Sequence, residues 1–161
     1  MIRRLSILTL FSFSLILVLN GCKKETLKQA PYFEVTDING KVHRLTDYKG
    51  KKLVLIFWGT WCPTCKEAMK ILNEKAEEYR SKNTEILAIS VDDQREKVLS
   101  TIKEFNFNNI TVAIATPQII MDFQGVRFIP TCYVIDGNTN TILKRYVGEI
   151  DFKELDNIIS R

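Results

Sequence analysis

Leu53-Val54-Leu55-Ile56-Phe57 is the stretch that most restricts the folds open to this chain. A strand with one wet face alternates apolar and polar residues, and this run does not alternate. It reads as a strand covered on both faces, inside a sheet. Similar runs recur at 85–91 (EILAISV), 111–115 (TVAIA) and 132–135 (CYVI). Between them the apolar spacing turns helical. Cys65, Met69, Leu72, Ala76 and Tyr79 fall at steps of four and three, predicting a helix from Cys62 to about Ser81. Asp93 with Glu96 three residues on predicts a capped helix carrying Val98, Ile102 and Phe105. Thr116-Pro117 starts a short helix to about Phe123, with proline at the first helical position. Asp151-x-x-Glu154 opens a last helix with Phe152, Leu155, Ile158 and Ile159 on one face. Residues 31–51 read as a β-hairpin turning at Asn39-Gly40, and 132–135 pairs with 142–147 across the turn DGNTN (136–140). This order predicts one α/β domain over 31–161, with a mixed central sheet flanked by helices on both faces, an N-terminal β-hairpin and an inserted helix-strand unit.

Residues 1–21 stand apart. A basic start, MIRR, precedes the apolar run 5–19, which has the length of a signal peptide and is short for a membrane span. The run ends in Leu19-Asn20-Gly21-Cys22, which resembles the lipobox of bacterial lipoproteins, where the cysteine is lipidated and becomes the mature N-terminus. On that reading 1–21 is a lipoprotein signal peptide, Cys22 the lipidation site and 22–30 a tether. A plain secretory signal or an uncleaved anchor would equally place the domain outside the cytoplasm, in the cell envelope. Without Arg3 and Arg4 the chain has 21 basic and 19 acidic residues, net +2. No basic stripe interleaved with aromatics suggests nucleic acid as a partner.

Cys62 and Cys65 are three residues apart in Trp58-Gly-Thr-Trp-Cys-Pro-Thr-Cys65. Within a regular helix residues i and i+3 hold their Cβ atoms about 5–6 Å apart, whereas a disulfide needs about 3.5–4.5 Å. The pair can close only where a helix begins. Pro63 disfavours helical backbone at Cys62 and suits the first helical position. Cys62 is therefore expected as the N-cap, Thr64 as the second helical residue and Cys65 as the third. An N-cap acceptor receives the amides of the second and third residues, and the helix dipole favours an anion there. Bringing a thiol from about 8.5 to about 7 takes roughly 2 kcal/mol, within reach of one or two charge-assisted hydrogen bonds. Cys62 becomes the candidate nucleophile, and Cys65, on the core-facing stripe, the candidate resolving thiol. Zinc would need four ligands, and beyond this pair there remain only Cys132 and His43. Copper delivery would call for a longer cysteine spacing and a downstream histidine. A peroxidase of the peroxiredoxin type would place threonine where Gly59 stands. A purely structural bridge in a lipid-tethered binding module is the non-enzymatic alternative.

The segment FWGTWCPTC resembles the active site of the thioredoxin superfamily, and Arg127-Phe-Ile-Pro-Thr131 before CYVID resembles its cis-proline segment. With the lipobox and the helix inserted at 93–107, the likeness narrows to membrane-tethered TlpA/ResA-type thiol-disulfide oxidoreductases. The resemblance implies a redox-active Cys62–Cys65 disulfide and a cis Pro130 packed against it. Ile129 would offer strand-like backbone bonds to substrate, and Trp61 an apolar docking surface, with Pro63 and Thr64 tuning the site and Trp58 packed beneath it. It further implies exchange with partner-protein disulfides or thiols, apocytochrome c among them, in the reducing direction. A membrane electron donor, a monomeric state and no cofactor or metal complete the expectation. Two departures stand out: proline is first between the cysteines, with Thr64 second, where many members carry proline second; and Ile56 occupies the place of a buried acid and Ala68 that of a glutamate. Glu67 is expected on the solvated helix face, and Cys132 as a neutral buried thiol.

Overall fold

The computed structural model describes residues 28–124 and 126–161. The segment 1–21 and Cys22 lie outside the described residues. β3 (Lys52–Trp58) is central, as its unbroken apolar run requires. It pairs in parallel with β4 (Thr84–Ser90), which pairs in parallel with β5 (Thr111–Ile114). On its other side β3 meets β6 (Thr131–Asp136) antiparallel, and β6 meets β7 (Thr141–Val147) antiparallel. The order β5-β4-β3-β6-β7 is a mixed, thioredoxin-like sheet.

Side chains of a strand alternate between faces, and β3 divides the core accordingly. Val54, Ile56 and Trp58 join one cluster with Met69, Leu72 and Ala76 of α1 (Pro63–Ser81), Val98 and Ile102 of α2 (Arg95–Phe105), and Leu155 and Ile159 of α4 (Phe152–Ile159). Leu53, Leu55 and Phe57 face the second cluster, where Ile119 of α3 (Pro117–Asp122) and Phe123 meet Phe33, Val35, Leu45 and Tyr48. Val35 lies in β1 (Glu34–Thr36), which Phe33 directly precedes; β1 forms a hairpin with β2 (Val42–Arg44), and Leu45 and Tyr48 lie in the 3₁₀ turn after it. Helices therefore cover both faces, but the second carries one short helix and the hairpin.

Several local expectations hold. Gly40 turns the hairpin at φ +86°, Thr116 caps α3 by accepting the Ile119 amide, and Asp151 caps α4 by accepting that of Glu154. The start of α2 is a correction. Its N-cap is Gln94, with no side-chain cap, so the Asp93–Glu96 box does not form. Phe105, expected on the core stripe, is partly exposed and stacks on Phe107. Gly137 is required by close approach, since a Cβ there would stand 1.9 Å from the Tyr48 carbonyl oxygen. At the N-terminal side, Lys28–Ala30 already run beside the start of β7: Ala30 N–H donates to Asn140 O at 2.7 Å and Ile142 N–H to Lys28 O at 2.8 Å.

Candidate active site

β3 ends at Trp58, and after four intervening residues α1 begins at Pro63. Gly59 to Cys62 form a tight turn in which the Cys62 amide donates to Gly59 O at 3.1 Å. Cys62 is extended (φ −96°, ψ 107°) and is the N-cap of α1, with Pro63 first in the helix. Cys62 and Cys65 form a disulfide with Cα atoms 5.2 Å apart. The Cys65 amide donates to Cys62 Sγ at 3.1 Å. Thr64 contributes its hydroxyl, at 3.4 Å, rather than the expected amide. A disulfide sulfur has no hydrogen, so this hydroxyl is the donor. Cys62 Sγ also lies 3.9 Å from the Ile129 carbonyl oxygen. Both donors face the position where negative charge develops when Cys62 leaves the bridge as thiolate, and the helix N-terminus adds to them.

Access to the two sulfurs is unequal. Cys65 is fully buried and Cys62 is 8% exposed, so a partner's sulfur can reach only Cys62. Beside it in the chain Trp61 is 62% exposed, and Phe128, directly before Ile129, is 67% exposed. Trp58 is fully buried and meets Phe107 edge-on, ring centroids 6.2 Å apart. A Cβ on Gly59 would come within 3.0 Å of both the Trp61 ring and Ile129 Cδ1; its absence lets the indole lie against the backbone and Ile129. The Ile129–Pro130 peptide bond is cis, and Pro130 is buried. A groove of about 400 Å³ beside the disulfide is lined by Thr64, Glu67, Ala68, Pro130, Glu149 and Phe152. Glu67 is exposed, as expected, but stands at this groove rather than away from the site. A larger cavity of about 810 Å³ lies at Lys52, Lys82, Asp136 and Arg161, far from the chemistry. Exchange with an exposed protein disulfide needs a surface, not a deep pocket.

Other singled-out residues fall elsewhere. Cys132 is free and fully buried in β6, between Ile56 and Tyr146 in register, and burial pushes its thiol up to about 12. His43 is in the hairpin, its Nε2 2.9 Å from Asp37 Oδ2 and its Nδ1 3.2 Å from Tyr48 Oη. Among the described residues no three His, Cys, Asp or Glu side chains gather to hold a metal ion. Two site features carried no role in the sequence reading, although Asp92 stood out there at a strand end. Phe128 sits directly before Ile129-Pro130, a signal that was available in the segment itself. Asp92, 4% exposed, grips the turn before Cys62, accepting from Thr60 N–H at 3.0 Å and Thr60 Oγ1–H at 2.5 Å.

Residues 26–144 match the family described as AhpC/TSA. The thiol-disulfide oxidoreductase ResA of Bacillus thuringiensis (strain Al Hakam) is 32% identical over 166 residues, covering 94% of this chain and 95% of that one. The chain belongs to the AhpC/TSA family. Within it, this is a ResA-type thiol-disulfide oxidoreductase, and the solved structures agree in fold. A thiol:disulfide interchange protein from Chlorobium tepidum TLS superposes with a TM-score of 0.73 at 27% identity, over 83% of this chain and 94% of that one. A thiol-disulfide oxidoreductase from Bacteroides fragilis gives 0.70 at 26% identity, over 81% and 99%. In this ResA-type protein the exchange chemistry has one accessible sulfur, a preformed hydrogen-bond seat for it, and a second sulfur held in the core.

Proposed function

We propose that the protein is an exported, lipid-anchored oxidoreductase that reduces disulfides of partner proteins at the outer side of a membrane, with Cys22 as the anchor. The domain 31–161 acts as a monomer at the end of a tether (22–30), and a membrane dithiol donor re-reduces it. Apocytochrome c, whose cysteines must be reduced before haem attachment, is the candidate substrate. In the cycle the Cys62 thiolate attacks one sulfur of a partner disulfide and expels the other as thiolate. A Cys62–partner mixed disulfide forms. Cys65, giving up its proton to water or to the expelled thiolate, attacks Cys62 Sγ and releases the partner's second thiolate. Two electrons have passed to the partner, and the Cys62–Cys65 disulfide is restored. Trp61, Phe128 and Ile129 receive the partner segment, with Pro130 beneath it and Pro63 and Thr64 shaping the sulfur's environment.

The observation that carries this reading is the unequal placement of the two sulfurs: Cys62 8% exposed with the Cys65 amide at 3.1 Å, Cys65 fully buried. A bridge serving stability alone has no need of one partly accessible sulfur next to an exposed tryptophan. The test is trapping in cells. A Cys65→Ser variant is expected to accumulate mixed disulfides through Cys62, and the captured chains should include apocytochrome c. A Cys62→Ser variant that captures the same partners equally well would reverse the assigned roles. Palmitate labelling that persists in Cys22→Ala would remove the anchor from the proposal.

A further inference from the structure

Asp92 follows the end of β4 as a buried carboxylate, and no Lys, Arg or His pairs with it among the described residues. A carboxyl taken out of water needs donors in compensation. Three are aimed at it: Thr60 Oγ1–H to Oδ1 at 2.5 Å, Thr60 N–H to Oδ2 at 3.0 Å, and Ser90 Oγ–H to Oδ2 at 2.5 Å. The Asp92 amide in turn donates to Ser90 Oγ at 3.1 Å. The β3–β4 ladder has ended at Trp58 opposite Ser90, and Val91 N–H to Trp58 O at 2.8 Å is its last backbone bond. Beyond that point, among the described residues, the hydrogen bonds between the chain leaving β3 and the chain leaving β4 are those of this carboxylate.

What it fastens is the second residue of the turn Gly59–Cys62, whose closing bond is made by the amide of Cys62 itself. Thr60 also directly precedes Trp61, which is turned out to solvent. We propose that Asp92 is a positioning residue for thiol–disulfide exchange, holding the Thr60 turn so that Cys62 Sγ stays on the first turn of α1 and Trp61 stays outward. Both Thr60 contacts are needed: the amide fixes where the turn sits, the hydroxyl fixes its rotation. This inference rests on the exchange chemistry of the Cys62–Cys65 pair.

Thr60→Val removes the hydroxyl donor in nearly the same volume, and Thr60→Ser keeps it. Hydrogen bonds to a charged group are worth enough that losing one costs about tenfold where it is fully expressed. Reduced Thr60→Val is expected to exchange with oxidised glutathione about tenfold more slowly than wild type, and Thr60→Ser within about twofold of it. Asp92→Asn, which cannot accept on both sides, should lose at least as much as Thr60→Val. The equilibrium constant with glutathione should shift at least about threefold in Thr60→Val and stay unshifted in Thr60→Ser. A merely structural clamp would lower the melting temperature and leave rate and equilibrium of the folded protein untouched. Thr60→Val with wild-type rate and equilibrium, or Thr60→Ser as impaired as Thr60→Val, overturns the proposal. Wild-type protein that does not exchange with glutathione at all overturns the exchange chemistry first, and this inference with it.

Discussion

Thr64→Val isolates one of the two donors that face the Cys62 sulfur. Valine keeps the shape of threonine and removes only the hydroxyl, which lies 3.4 Å from Sγ. A typical hydrogen bond contributes about 0.5–1.5 kcal/mol net. This one is long, and Thr64 is exposed, so water can replace the hydroxyl in the variant. The lower part of that range applies, about 0.5–1 kcal/mol, or a factor of about two to five in the thiolate population at fixed pH. The Cys65 amide at 3.1 Å is buried and belongs to the backbone, so it survives the substitution. Iodoacetamide in excess over reduced protein at pH 6.5 measures that population as a second-order rate constant at Cys62. The expected result is a two- to fivefold decrease with the steep pH dependence retained. A decrease beyond about thirtyfold would mean that the hydroxyl, and not the helix N-terminus, carries the anion. No decrease would mean that the contact is absent once the bridge opens.

Cys132 should resist the same reagent. With its thiol pushed up to about 12 by burial, only about one molecule in ten thousand is thiolate at pH 8. Mass spectrometry of the reduced, folded domain lacking Cys22 should show rapid modification at Cys62 and none at Cys132 until the protein is unfolded. Asp156 links α4 to α1 by accepting from Lys75 Nζ at 2.9 Å and Tyr79 Oη at 2.7 Å. Burial pushes this carboxyl up, but the bonds from Lys75 and Tyr79 together outweigh it and hold its pKa below 3.8. A depressed folded value stabilises the fold above the unfolded pKa, and that stabilisation is lost as pH falls through the folded one. Asp156→Asn should cost about 1 kcal/mol at pH 7, allowing for a side chain that is 35% exposed. In urea unfolding the gap between variant and wild type should close as pH drops from about 5 to below 3; a gap that stays constant would contradict the assignment.

The parts of this fold that local sequence specifies were legible in it. The hairpin at Asn39-Gly40 and the caps at Thr116 and Asp151 each depend on contacts only a few residues apart, and the unalternating run of β3 records burial on both faces in its own composition. Pro63 did the same for the site, because its restriction on Cys62 acts on the neighbouring residue. Asp93 shows where this reasoning stops. Asp93-x-x-Glu96 matches a capping box, yet the helix begins after Gln94 without one. Its neighbour Asp92 is committed to Thr60, 32 residues away. No periodicity or spacing rule carries that contact, since it exists only once β3 and β4 lie side by side. The Thr64 hydroxyl in place of its amide is a detail of the same kind, set by rotamer rather than by position in the helix.

The proton of Cys65 shows what the site does without. Cys65 is fully buried in the cluster that holds Ile56, Ala68 and Met69, and none of these can take a proton. Ile56 and Ala68, where the sequence resemblance leads one to expect acids, present apolar side chains instead. Cys65 is out of a partner's reach, so in the proposed cycle it does not compete with Cys62 as nucleophile. In the proposed cycle the Cys65 proton passes to water or to the first thiolate expelled from the partner. That thiolate is present only once Cys62 has become part of a mixed disulfide, so the route through it couples the second step to the leaving group of the first. The outward sulfur then does the attacking, and the inward one resolves.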